Sequence, residues 1–260
     1  MIYQSEDRRI YDDLMASAQC KWGEVKTIGE LMLNVGKYFL DFPYAANTLE
    51  RKGGETLIIN LREFDCFTFV ENVMALARQI KEGNYAFDDY AAALERIRYR
   101  EGVLKGFASR LHYFSDWLFD NEQKGIVKDI TAEIGGKSIL KEINFMTAHR
   151  GNYYGLDDDE SYREMMVVEK GLSGRSLYQI QKSELRQFEN AIENGDLITA
   201  ATDIKGLDVV HVGLAVRIRG RIHLLHASEV EKKIVISDYT LYRYLSRRET
   251  MTGIKVGRIT

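Results

Sequence analysis

Residues 208–218 carry Val210, Val212, Leu214, Val216 and Ile218 on one parity, and Val209, His211, Gly213, Ala215 and Arg217 on the other. A repeat of two residues belongs to a strand. A turn at Arg219, Gly220 and Arg221 sends the chain back through residues 222–228, and residues 234–236 and 254–259 offer two further strands. Strands this close together in sequence pair as an antiparallel meander and exclude a parallel sheet built from helix crossovers.

The first half has the other period. Thr27 and Glu30 form a capping box ahead of Ile28, Leu31, Val35 and Phe39, which line one helical stripe ending near Asp41, before Pro43. Ile10, Leu14 and Ala18 mark an earlier helix. Cys66, Val70, Val73, Met74, Ala77 and Ile80 mark another, which runs to Gly83. Residues 87–98 and 109–121 also read as helical. The stretch 125–201 is mixed, with an acidic run at 157–160 and a helix-like segment at 183–194. Helices first and sheet later is an α+β arrangement. With Pro43 the only proline and no repeat or low-complexity tract, the chain reads as one elaborated domain over 1–260. Its parts are a helical region at 1–124, an insertion at 125–201 and a sheet region at 202–260.

Composition narrows the function. Lys and Arg total 36 against 39 Asp and Glu, so the excess of positive charge that phosphate contacts demand is missing and nucleic acid is not an expected partner. No apolar run approaches the roughly 20 residues of a membrane span, and the polar start of the chain does not read as a signal peptide. Two cysteines without CxxC spacing build neither a metal knuckle nor a disulfide framework. A GxSxG elbow, a GxGxxG loop and a Walker loop are all missing from the sequence.

Cys66 is the residue with chemistry to offer. Asp65 is placed to cap the helix that Cys66 opens, and a thiol in a first turn meets free N–H groups that favour thiolate and can hold an oxyanion. The pKa of such a thiol is expected to move toward neutrality. Packing alone would also explain a lone cysteine. A nucleophilic thiolate needs a base, and the base an orienting partner. His211 stands on the strand beside the small residues Gly213 and Ala215, and His226 on the return strand, where pairing can bring the two rings together. His112, in a helix-like stretch, reads as a packed or substrate-lining residue; His149 reads as a loop residue and His223 as surface. No H-E-x-x-H or comparable spacing calls for a metal, and nothing calls for a cofactor.

Asp65-Cys66 opening a helix, His211-Val212-Gly213 on a strand and His226-Ala227-Ser228 on the next resemble the NlpC-type branch of papain-like cysteine peptidases and amidases. Residues 42–50, 60–77 and 109–113 narrow the resemblance to the N-acetylmuramoyl-L-alanine amidase-like family, over most of the chain. The resemblance implies a papain-like core, a Cys-bearing helix packed on an antiparallel β-sheet with helical and mixed insertions. It implies Cys66 as nucleophile, His211 as general base and acid, and His226 as orienting residue, with no metal or other cofactor. Tyr44, Asp65 and His112 become substrate-side candidates, Tyr44 as a wall or oxyanion donor. The implied substrates are muropeptides, cut between the muramic lactyl group and L-alanine, which puts the protein in the periplasm or cell envelope. The common Asp-Cys-Ser-Gly is here Asp65-Cys66-Phe67-Thr68, a departure that bears on substrate choice. Alternatives are an endopeptidase cutting between D-glutamate and the diamino acid, a non-catalytic muropeptide-binding module, and a carboxylate glycosidase.

Overall fold

In the computed structural model, which describes residues 1–22, 25 and 27–260, helices α1 (Ser5–Lys21), α2 (Ile28–Tyr38), α3 (Cys66–Lys81), α4 (Phe87–Arg98) and α5 (Phe114–Gln123) come first. Strands β1 (Val127–Asp129) and β2 (Lys137–Ile139) follow. Next come α6 (Phe145–Ala148), α7 (Asp159–Ser173), β3 (Leu177–Gln181), α8 (Leu185–Phe188) and β4 (Leu197–Thr202). The chain ends on β5 (Val209–Ile218), β6 (Arg221–Ser228), β7 (Lys233–Thr240), α9 (Leu241–Ser246) and β8 (Met251–Ile259).

The eight strands form one sheet in the order β2-β3-β8-β4-β5-β6-β7, with β1 also pairing β8, and every pair is antiparallel. The meander holds for β5, β6 and β7, but β8 returns to the far side of β4. The stretch 125–201, expected as an insertion, therefore supplies four strands, and β4 sits between β8 and β5 near the middle of the sheet. Its six buried residues, Leu197–Thr202, show no alternation because both faces of β4 are covered, so it lacks the period that marks β5.

One face of the sheet meets the helices. Leu197, Val212, Leu214, Val216 and Leu225 join Leu31, Val35, Phe69, Val70, Val73 and Leu76 in the main core. The other face, with Ile198, Ala200, Ala215, Leu224 and Ile254, is closed by Leu241, Tyr244 and Leu245 of α9. Helix α2 begins at the expected capping box, with the Glu30 N–H donating to the Thr27 hydroxyl at 3.2 Å. The helix expected over 109–121 begins only at Phe114. Residues 107–109 form a 3-10 turn, and His112 lies in the extended link between the two, because Leu111 N–H donates to the Arg98 carbonyl (2.9 Å) instead of joining a helix.

Candidate active site

Cys66 is the first residue of α3, and Asp65 is its N-cap. One Asp65 oxygen accepts from the N–H of Phe67 (3.0 Å) and of Thr68 (2.7 Å), while the Thr68 hydroxyl accepts from the Asp65 N–H at 3.1 Å. The cap occupies two of the first amides and leaves the Cys66 N–H outside it, so fewer helix-start donors face a substrate than the bare helix end suggests. The backbone amides of Val212, Cys66 and Phe67 lie near enough to the sulfur to favour its thiolate, and the Val212 amide sets the thiol against β5, one residue from His211.

A bulge aims His211. In the pairing with β4, Ala200 opposes His211 but Ala201 opposes Val209, so Val210 has no partner. Val209 and Val212 both pack toward the helices, whereas Val210 packs on the α9 side. The strict alternation read from the sequence thus breaks at His211, and Val209 does not share a face with Ala215 as expected. Bulges re-aim side chains at many active sites. A second irregularity, between His223 and Leu225, lies on β6 just before His226.

His211 Nε2 lies 2.7 Å from His226 Nδ1, with the ring planes perpendicular. If His211 carries its proton on Nε2 and donates it to a bare His226 Nδ1, its own Nδ1 is left as an acceptor, the tautomer a base needs. Gly213 makes this approach possible. A Cβ there would sit 2.8 Å from the Leu225 carbonyl oxygen and 2.9 Å from His226 Cβ. Gly213→Ala must therefore push β6 away, and about 1–3 kcal/mol of stability should be lost. Activity should fall further than the folded fraction; urea melts beside rates on the same preparation check it, and unchanged rates would show that the ring spacing is slack.

Tyr44 joins the group through its own loop. Tyr44 N–H donates to the Lys232 carbonyl (2.9 Å) beside β7, and Ala45 N–H to the Phe64 carbonyl (3.0 Å) just before the cysteine helix. Burial, then the neighbouring Cys66, pushes the Tyr44 hydroxyl up to about 12, so it keeps its proton as a donor. His112 is elsewhere: its Nε2 meets the Phe107 carbonyl at 2.9 Å, and it lines a small cavity with Asp65, Phe67 and Glu71. His149 is exposed. His223, expected at the surface, is half-buried, with Nδ1 2.9 Å from the Ser237 carbonyl oxygen.

The sequence reading missed Tyr244 and Arg248. The buried Tyr244 ring lies 5.3 Å from the His226 ring and 5.9 Å from that of His211, and the Arg248 guanidinium stands 4.4 Å above it. They follow β7 in a run of tyrosines and arginines that carries no motif.

Burial sets the charges. It pushes the Cys66 thiol up to about 12, with the Asp65 carboxylate adding to the effect and the three N–H groups opposing it. The expected shift toward neutrality is corrected: desolvation outweighs the helix end. Burial also lowers His226 to about 4 and His211 well below its usual value, with Arg248 pressing on both. The resting pair is a neutral thiol and a neutral imidazole. Because the folded imidazoles refuse protons that the unfolded chain takes up, stability present above pH 6.5 is lost as the pH falls toward 4. His226 alone accounts for about 3 kcal/mol of this at most. Urea midpoints at pH 7 and pH 4.5 measure it, and equal midpoints would contradict the neutral pair.

Among the described residues no group of three or more His, Cys, Asp and Glu side chains could hold a metal ion, and no helix is long and apolar enough to cross a membrane.

The layout is that of a papain-like core: a helix with cysteine at its start, packed on an antiparallel sheet whose neighbouring strands carry two histidines. Residues 34–254 match the family model described as AmiA-like, N-acetylmuramoyl-L-alanine amidase-like. The chain belongs to the N-acetylmuramoyl-L-alanine amidase-like family. It is 35% identical to an N-acetylmuramoyl-L-alanine amidase from Bacteroides uniformis, over 90% of this chain and 99% of that one, with a TM-score of 0.85. A Bacteroides fragilis protein provisionally assigned as a xylanase is 40% identical, over 87% and 99% of the two chains, with a TM-score of 0.83. A Legionella pneumophila protein, 19% identical over 98% of this chain and 93% of its own, shares the fold with a TM-score of 0.70. Among curated proteins none gives a significant match. Family membership carries amide-bond hydrolysis on cell-wall material.

Proposed function

We propose that this amidase cuts the bond between N-acetylmuramic acid and L-alanine in peptidoglycan fragments by cysteine catalysis. The observation that carries the reading is the His211–His226 hydrogen bond at the point where the Cys66 thiol meets β5. His211 Nδ1 takes the thiol proton as the sulfur attacks the lactyl carbonyl carbon, so a resting thiolate is not required. The Cys66 N–H and the Tyr44 hydroxyl hold the oxyanion. The C–N bond then breaks, His211 returns the proton to the departing L-alanine amine, and the lactyl group remains on sulfur as a thioester. Water, giving a proton to His211, hydrolyses that thioester and frees the thiol. His226 holds the His211 ring, and Tyr244 backs both. The substrate puts the protein in the periplasm or cell envelope, in turnover of wall fragments.

The xylanase reading needs two carboxylates free to work across a cleft. The three that line the cavity beside the start of α3 are committed: Asp65 caps α3, Glu71 is paired with Arg98 at 2.8 Å, and Glu50 with Arg110 at 2.6 Å. Mass spectrometry of digested muropeptides tests the amidase. The expected products are an intact muramic sugar and a peptide beginning with L-alanine. Release of an L-alanyl-D-glutamate fragment would move the cut to the endopeptidase bond, and shortened glycans would revive the glycosidase.

A further inference from the structure

A cleft of about 510 Å³ opens directly from His226, between β7 and α9. Arg247 and Arg248 line it, with the hydroxyls of Ser228 and Ser237. Among the described residues neither arginine has a carboxylate partner in ion-pair contact. Arg247 lies 4.4 Å above the Tyr239 ring and Arg248 4.4 Å above Tyr244. A guanidinium held over an aromatic face by its carbon keeps N–H groups free for a carboxylate, which can be taken by two of them at once.

The acids of the cleft, Glu231 and Asp238, are exposed and form no ion pair with these arginines. In the cavity that α3 lines with Thr68 and Glu71 the arginines are spoken for: Arg98 by Glu71, and Arg110 by Glu50 and Glu55. Among the described residues, the His226-side cavity alone of these two has arginines with no carboxylate in contact. Arg248 is half-buried beside two imidazoles that its own charge helps keep unprotonated. An anion arriving there would offset the cost of holding that charge out of water.

We infer that the β7–α9 cleft is a carboxylate-binding subsite in which Arg247 and Arg248 grip an acidic group on the peptide part of the substrate. This rests on the amidase reading, in which the peptide of a muropeptide supplies the carboxylates. Acidic stem peptides are then preferred over amidated ones, and the bound carboxylate screens Arg248 from His211 at the moment the base must accept a proton.

The probes are N-acetylmuramoyl-L-alanyl-D-glutamate and its D-isoglutamine counterpart, which differ only in that one carboxylate is an amide. kcat/KM for the acid should exceed that for the amide by about tenfold, a difference of about 1.4 kcal/mol. Arg248→Gln and Arg247→Gln should reduce the preference toward unity, mainly through KM, with unchanged melting temperatures showing an intact fold. Equal cleavage of both probes by wild type, or full preference retained by both variants, overturns the subsite and leaves the amidase standing. Calorimetry on Cys66→Ser separates the two claims: tighter binding of the acid without turnover by wild type keeps the subsite and sinks the amidase. Neither binding nor cleavage of either probe overturns both.

Discussion

Cys66→Ala abolishes muropeptide hydrolysis, with a loss on the order of 10⁴-fold or more, and leaves the melting temperature within a few degrees of wild type. The reasoning is local. The thiol packs at the edge of the main core and alanine removes only its sulfur, while the cap that starts α3 belongs to Asp65 and Thr68, neither of which the substitution touches. Cys66→Ser should be nearly as inactive, because a neutral imidazole that shares a proton with a polarisable sulfur is too weak a base for a serine hydroxyl in the same buried place. His226→Ala should cost less than Cys66→Ala, since His211 keeps its base and loses only its orientation. Substantial turnover by Cys66→Ala would remove the cysteine mechanism, whatever the products.

Alkylation gives a second reading of the same thiol. With the sulfur pushed up to about 12, iodoacetamide at pH 7 should label Cys66 slowly even in the active enzyme. Slow labelling therefore does not distinguish an enzyme from a non-catalytic binding module, which a helix-end thiolate would have allowed; turnover does.

The parts of this site written in the sequence are those set by local chemistry. Asp65 before an apolar helical stripe specifies where α3 starts, and the two-residue repeat about Val212 specifies β5, so Cys66, His211 and His226 could be placed on their elements from the chain alone. The rest is tertiary. The bulge that frees Val210 and turns His211 depends on where β4 pairs, and β4 is buried on both faces with no period of its own. Tyr244 and Arg248 reach the histidines only because α9 folds back over the sheet, a contact with no periodic signature. The thiol's ionisation was misread for the same reason. A helix end is visible in sequence, whereas the burial that overrides it depends on how closely α3 packs against β5.

Arg98→Met should cost about 3–5 kcal/mol, the penalty for leaving a buried carboxylate without its counter-ion. Arg98 and Glu71 are 2% and 0% exposed in their side chains, with Arg98 Nε 2.8 Å from Glu71 Oε2 and a second guanidinium nitrogen donating to the Ile58 carbonyl at 2.6 Å. Glu71 lies on α3 little more than a turn after Cys66, so the pair ties the nucleophile's helix to α4 and to the segment entering it. The melting temperature should fall by about 10 °C. Burial already pushes the Glu71 carboxyl up against the pull of Arg98, and without Arg98 it rises further. A carboxyl raised in the folded state stabilises it at low pH and loses that contribution as the pH rises through the folded value. The deficit of Arg98→Met relative to wild type should therefore shrink between pH 7 and pH 5, although acid weakens both proteins through the histidines. Adding Glu71→Gln to Arg98→Met should recover part of the loss at pH 7, because no charge is then stranded. A double variant as unstable as the sum of the two single ones would show that Arg98 acts through Ile58 and packing, with no coupling to Glu71.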